Sequence, residues 1–523
     1  MSDDRRTKAL WVVLTWAAIT IFLSMRHVIW RDEMRALSLA LQGDGYGEML
    51  RSLGDGHPGL WHTLLRAAHS LVPTPAVLPV VSMVVALAAV ALLAFRSPFS
   101  LPVIAVFLAG RAPLYEYSVM ARNYGISMLL MFVFAALYRR CRARGVALGI
   151  VLFLLANCNV HSALLVGAWL LFWLLDLWLD EPREPAALRN FVLNAAIAVA
   201  GIAVCAATVF PTTNDLAQLD LGDTSIPKAM LEGLLLPGGT FGELTGFPRL
   251  GALLGLLSAP TFLLVAEALL SLILAGSTLV LVQRPAALVA ALAALLGLSC
   301  LFAVIYKGAY RDQALWLVFV MSLYWIAKAD PARQVAQRDP WMGRLRVLGV
   351  ALFGLLLMIQ ALYGALMFER IAPEGAAESR SRDLAQLIER KPELGDAIVI
   401  ADPDYLVEPL PYYKLRNPTF LMREQRFGNV VTFTRDARLS LSLDEILGQA
   451  RQLREANHRP VLILLRERLD PAAPARTVKE SYAWQLTTSP AQVRNFLSST
   501  HKLASFGPVI CCSDETFDVY VLG

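Results

Sequence analysis

From the N-terminus to about residue 370 the chain alternates long apolar runs with short polar breaks. The runs lie near 9–29, 77–95, 99–116, 124–138, 146–158, 161–179, 191–210, 261–282, 285–306, 310–327 and 347–368. That makes about eleven predicted spans, most near the ~20 residues a crossing helix needs. The fourth and fifth are short and need tilting or neighbours that cover their ends. The first run, in "MSDDRRTKALWVVLTWAAITIFLSM", is long enough to span, and no small-residue cleavage site follows, so it reads as an uncleaved helix. After Ile371 the pattern changes. "SRDLAQLIERKPELGDAIVIADPDYL" and "LDEILGQARQLREANHRPVLILLRE" each read as a helix followed by a short buried strand, and a further helix leads into a hairpin from Lys502 to Leu522.

Composition agrees with a membrane-embedded chain. Of 523 residues 56% are hydrophobic and 17% charged, against about 25% charged in soluble domains; the mean hydropathy is +0.53. The net charge of +5 is modest, and no basic cluster interleaves with aromatics, which argues against a nucleic-acid partner. The six cysteines form no CxxC. Cys141, Cys158, Cys205 and Cys300 are scattered through apolar runs, and Cys511 and Cys512 stand side by side in a predicted strand, so all six read as structural.

Lys and Arg fix the expected orientation. The N-terminal "RRTK", then Arg139, Arg140, Arg142 and Arg144, then Lys328, Arg333, Arg338, Arg344 and Arg346, all fall on one side of an eleven-span count, which becomes the cytoplasmic side. Segments 30–76 and 211–250 and everything after 370 then lie outside. The expected fold is a polytopic α-helical membrane domain, 1–370, followed by an extracytoplasmic α/β domain, 371–523.

The first outer loop, 30–76, carries the densest chemistry. "WRDEMRAL" sets Asp32 beside Glu33 directly after the first span, and "GDGHPGLWHTLL" follows with His57 and Pro58 at a helix start. An acidic pair, a spacer and a His-Pro motif resemble the first outer loop of the polyprenyl-phosphate-dependent glycosyltransferases of the GT-C class, such as protein mannosyltransferases and aminoarabinose lipid A transferases. The family pattern is Asp-Glu, then His-Pro-Pro-Leu-Tyr; here Gly59 replaces the second Pro and Trp61 the Tyr. "APLYEYSVMARNYG" is similar to the family's next motif through Pro113, Glu116, Arg122 and Tyr124, "NCNVHSALL" to its His turn through His161, and "YKGAYRDQ" to a later outer turn through Lys307, Tyr310 and Arg311. The resemblance covers the membrane half in order and is weak after the seventh span.

The resemblance implies transfer of a sugar from a polyprenyl-phosphate carrier to a lipid, glycan or protein acceptor, with inversion, at the outer face of a bacterial inner membrane. Such a leaving group departs as an anion and needs cations and hydrogen-bond donors; the acceptor hydroxyl needs a base. By resemblance Asp32 is the base, and a partly desolvated Asp there is expected to have a raised pKa. Glu33 is the alternative, although helical neighbours diverge by about 100°. Glu116 is a second carboxylate that orients the acceptor or a metal. Arg122, Lys307, Arg311, His57, His161 and Tyr310 are expected around the phosphate. Lys307 and Arg311 share a face if their helix is continuous. The metal is unknown; a single divalent ion on Asp32 or Glu116 is left open.

Blander roles compete. Asp32 can N-cap its helix and pair with Arg35, and the cations can simply snorkel to head groups. Asp402 and Asp404 in "ADPDYL" have the spacing of a nucleotide-sugar motif but sit in the outer domain; "LPGGTFGELTG" reads as a flexible loop over the site. The rival functions are a transporter or flippase of a lipid-linked substrate, a non-catalytic assembly protein of an envelope glycan pathway, and a ligase or polymerase of larger lipid-linked glycans.

Overall fold

The computed structural model describes residues 2–54, 56–179, 184–210, 214–216, 225–245, 260–330, 340–373, 377–510 and 514–523. Arg333, Arg338, Cys511 and Cys512 lie outside these residues. Among the described residues eight helices are long and apolar enough to cross a membrane: Asp3–Arg26, Val77–Arg96, Tyr124–Cys141, Val160–Trp178, Pro185–Val209, Phe262–Leu281, Pro285–Val304 and Trp341–Ile371. The other predicted spans are helical but differ in kind. Leu101–Leu108 is short and is continued by a π-helical turn, Ala112–Glu116. Ala147–Ala156 has only 10 residues, about 15 Å of rise. Its ends are covered by Pro185–Val209: the Gly149 N–H donates to Asn194 Oδ1 at 2.6 Å, and Asn157 Nδ2 donates to Gly201 O at 3.0 Å. Glycine permits that approach, since a Cβ on Gly201 would lie 2.7 Å from Phe153 Cα. Tyr310–Ala329 is buried on nearly every face and forms the centre of the bundle.

The helices run between two chemically different ends. At one, Arg5 donates to Ser97 O and Phe99 O at 3.1 and 2.8 Å, Lys328 lies 5.7 Å from the Phe99 ring, and Arg139 donates to Ala329 O. Arg142 and Arg284 converge there on Asp176. The basic loops therefore gather at one end. The opposite end carries the first loop and the α/β domain.

That domain holds a six-stranded sheet in the order β3-β2-β1-β5-β9-β8, with β1 Ile398–Asp402, β2 Thr419–Leu421, β3 Arg426–Phe427, β5 Val461–Leu465, β8 His501–Phe506 and β9 Phe517–Leu522. β4 Ser440–Ser442, β6 Arg476–Lys479 and β7 Gln485–Thr488 make a second, three-stranded sheet. β1 is parallel to β2 and β5, whereas β9 is antiparallel to both β5 and β8. Every residue of β1 and β5 is buried, because both faces are covered. Ile398, Ile400 and Ile463 pack with helix Leu443–Asn457, while Val399, Leu462 and Leu464 pack with helix Ser381–Arg390.

The domain clamps the first loop. Ser381 Oγ donates to Ile29 O at 2.9 Å, Arg382 to His27 O at 2.5 Å, and Arg35 pairs with Glu408. Arg31 pairs with Asp514, and its N–H donates to Glu515 Oε1 at 2.8 Å. Burial pushes Glu515 up to about 8 against the opposing pull of Arg31. Burial likewise pushes Asp404 up to about 7 against the amide bonds of Arg423 and Met422. An unfolded chain releases such protons near pH ~4. The folded chain thus binds more protons between that pH and about 8, so stability is greatest at the acid side and falls as pH rises through the window. Thermal unfolding of the purified full chain should show a lower transition at pH 8.5 than at pH 6, and Glu515→Gln should shrink the difference; a rising transition would contradict these proton-bound carboxyls.

Candidate active site

Trp30, in extended conformation, is the N-cap of helix Arg31–Ala40, and Glu33 reaches back to accept from the Trp30 N–H at 3.2 Å. The capping expected of Asp32 therefore falls to Glu33, and Arg35 turns away to Glu408. Asp32 points instead to Arg122, which it meets in a charge-assisted hydrogen bond, with its side chain 31% exposed. Arg31 Nε lies 3.7 Å from its other oxygen. Arg122 also approaches His57 Nε2 at 3.2 Å.

Each partner is set by its own turn. Gly59 precedes helix Leu60–Leu71, where a Cβ would lie 2.2 Å from Leu50 Cδ2. Arg122 ends the loop that follows the π turn Ala112–Glu116. Ser82 Oγ donates to Ser118 O and Met120 O at 3.0 and 3.1 Å, and Ala121 N–H donates to Glu33 Oε1 at 2.6 Å. Glu33 thus ties the Asp32 helix to the Arg122 loop.

Arg31, Asp32, His57 and Arg122 line a cavity of about 740 Å³ together with Arg311, His161, Tyr124 and Asp312. Arg311 opens helix Tyr310–Ala329, its guanidinium 5.8 Å from the Trp30 ring and 6.0 Å from Tyr124. Its Nε is buried and makes no hydrogen bond among the described residues, and neither does His161 Nδ1, which lies 3.6 Å from Asp312. Asp312 accepts from Tyr124 OH at 2.7 Å and from the Ala309 N–H at 2.9 Å. Val160, Val209, Leu301 and Ile305 supply apolar lining, and Tyr405, Glu408, Phe433, Ser481 and Tyr482 of the α/β domain also line the cavity.

Five predicted residues, Asp32, His57, Arg122, His161 and Arg311, therefore meet in one cavity. The others lie elsewhere. Glu33 is fully buried against His27, whose Nε2 is 2.8 Å away. Glu116 is buried against Arg111, at 3.0 and 2.5 Å. Tyr310 accepts from the Ala112 N–H at 3.1 Å and donates to Gln360. Neither lines the cavity. Lys307 is exposed and does not line the cavity. It shares no helix with Arg311, because one helix stops at Val304 and the next starts at Tyr310.

Three further expectations change. Burial acts to raise Asp32, but Arg122, Arg31, Arg311 and His57 outweigh it and hold the carboxyl well below the usual range. The glycine-rich 236–245 stretch is not a cover: Gln313 Nε2 donates to Thr240 O and the Leu244 N–H donates to Gln313 Oε1, and a Cβ on Gly238 would lie 2.3 Å from Glu267 O. Its glycines serve close packing. Asp402 pairs with buried Arg423, and Asp404 accepts the amides of Met422 and Arg423, so that pair is architectural.

Sequence reading overlooked Arg31 and Asp312 as cavity residues, although "RDE" and "YRDQ" display each beside a chosen residue. Tyr405, Glu408, Phe433 and Tyr482 gave no signal, since only the docking of the α/β domain brings them there. No family model matches the chain, and comparison with the curated proteins finds no match. Among the described residues no three His, Cys, Asp or Glu are grouped to hold a metal ion. Asp32 faces guanidinium groups, so the cavity's donor set fits an anion rather than a divalent cation.

Proposed function

We propose that the protein is an integral membrane glycosyltransferase that moves a sugar from a polyprenyl-phosphate carrier to an acceptor hydroxyl at the outer face of a bacterial inner membrane. One observation carries the reading: the Asp32 carboxylate shares a cavity with Arg122 and Arg311, the buried Arg311 Nε and His161 Nδ1 there make no hydrogen bond among the described residues, and the lining comes partly from apolar helix residues and partly from the α/β domain. The carrier's phosphate meets Arg122 and Arg311, with His57 and His161 as further donors, and its tail follows the apolar wall toward the lipid. The sugar then lies between the cations and the α/β domain.

The depressed pKa of Asp32 gives the site an order of events. Before the donor arrives, the cations hold Asp32 ionised but weakly basic. A bound phosphate draws on the same cations and adds negative charge nearby, which raises the basicity of Asp32. The acceptor oxygen then bonds to the anomeric carbon as the bond from that carbon to the phosphate oxygen breaks. The hydroxyl proton goes to Asp32, and the electron pair leaves with polyprenyl phosphate, whose charge Arg122 and Arg311 stabilise.

Binding of undecaprenyl phosphate to the purified protein, followed by native mass spectrometry, tests the cation set. Losing a charge-assisted bond costs about 1.5–3 kcal/mol, so Arg122→Gln and Arg311→Gln should each weaken binding roughly ten- to a hundredfold. Equal binding by wild type and both variants, or wild-type preference for phosphatidic acid over the polyprenyl phosphate, would refute the reading.

A further inference from the structure

The α/β domain contributes aromatic rings to the cavity that the transfer chemistry above leaves unused. Tyr482 is 56% exposed, and its ring lies 4.7 Å from Phe433. Phe433 in turn lies 5.0 Å from buried Trp484, with the rings 36° apart. Phe433 is held from the backbone: its N–H donates to Asn214 Oδ1 at 3.0 Å, and its carbonyl accepts from Leu216 N–H at 2.9 Å. Asn214 also donates to Gly54 O at 3.0 Å, so the platform is fixed to the first loop. Beside the rings stand Arg35, 5.5 Å from the Phe433 centroid, and Glu408, its ion-pair partner; both line the cavity.

Tyr482 adopts a left-handed backbone, φ 55°. That conformation is unfavourable for a bulky side chain, and glycine would adopt it freely. A half-exposed aromatic ring at such a backbone position, stacked beside Phe433 on the cavity lining, points to a use.

We propose that Tyr482 and Phe433 form a saccharide subsite that seats a sugar ring of the acceptor. The inference rests on the glycosyltransferase reading for the word acceptor alone; the binding chemistry stands without it. A pyranose presents a face of C–H groups, slightly positive, which pack on the negative face of an aromatic ring. Its hydroxyls need mixed donors and acceptors, and the Arg35–Glu408 pair lines the same cavity. The wall decides which sugar it holds. A carrier-linked donor enters along the apolar residues of the membrane helices and leaves its phosphate by Arg122 and Arg311, whereas both rings of the platform belong to the α/β domain. The seated ring thus belongs to the second substrate, which makes that substrate a glycan or glycoconjugate rather than a bare peptide.

Saturation-transfer NMR on the full chain in nanodiscs tests this with a panel of neutral di- to tetrasaccharides and a Ser/Thr-rich peptide. At least one saccharide should receive saturation at its ring C–H protons. Tyr482→Ala should weaken that binding about three- to tenfold, while Tyr482→Phe retains it. Tyr482→Gly should lose binding and yet unfold at no lower temperature than wild type, because glycine relieves the backbone. Saccharide binding unchanged in Tyr482→Ala and Tyr482→Gly, saturation of the peptide alone, or no saccharide bound by wild type would overturn the subsite. If undecaprenyl phosphate still binds in that case, only the subsite fails; saccharide binding without polyprenyl phosphate binding would instead count against the transferase reading.

Discussion

Replacing Asp32 with Asn is expected to remove sugar transfer while leaving the fold and carrier binding in place. Asn keeps the shape and one acceptor oxygen for Arg122, so the contact between first loop and Arg122 loop persists. It cannot take a proton. Losing a positioned base costs typically about 10²–10⁴-fold, and the loss should appear in kcat. Carrier binding should hold or tighten, because a negative charge beside the phosphate has gone while Arg122 and Arg311 remain. Helix Arg31–Ala40 loses an acid in its first turn, worth about 0.3–1 kcal/mol, a small shift in melting. Turnover with a polyprenyl-phosphate sugar, measured beside carrier affinity, separates the outcomes. Wild-type turnover in this variant would remove Asp32 from the chemistry.

Its neighbour should behave in the opposite way. Glu33→Ala strips partners from the Trp30 N–H, the Ala121 N–H and His27 Nε2, at 3.2, 2.6 and 2.8 Å, all in a dry interior. His27 also lies 3.4 Å from Glu378, and Tyr115 bonds the same carboxylate, so the cluster joins first span, first loop and α/β domain. Breaking a buried charge pair costs about 3–5 kcal/mol, a large share of a typical total of 5–15 kcal/mol. The expected result is poor yield and a clearly lowered thermal transition, with activity lost as a consequence of the fold. A Glu33→Ala protein that melts like wild type but transfers no sugar would move Glu33 from architecture into the chemistry. The two adjacent carboxylates are thus told apart by stability against turnover.

Some of this was legible before any coordinates. The apolar runs state that helices exist, because burying or immersing about 20 residues in lipid demands an internally bonded backbone. The Lys and Arg positions state which loops share an end, and the structure gathers Arg5, Arg139, Arg142 and Lys328 there. The β-branched runs "IVIAD" and "VLILL" announce strands buried on both faces. Motif order placed Asp32, His57, Arg122, His161 and Arg311 among the candidates, and all line the cavity.

What the sequence could not carry is direction. The resemblance ranks Asp32 ahead of Glu33, and one helical step of about 100° separates them, but only the fold turns the first to the cavity and the second into the core. Glu116 and Tyr310 have the right chemistry but face Arg111 and Gln360. The glycines of 236–245 read as looseness, while their packing against Glu267 makes them tight. Charge state is also a tertiary property: Asp32 is held low by Arg122, Arg31, Arg311 and His57, which lie up to 279 positions away and act only once the chain brings them within a few ångströms. Local pattern thus determined the elements, the two ends and the candidate residue types, because helix periodicity and hydration are short-range. Tertiary structure decided what Asp32 and Glu33 each meet and which aromatic rings line the cavity, because those depend on contacts between segments distant in the chain.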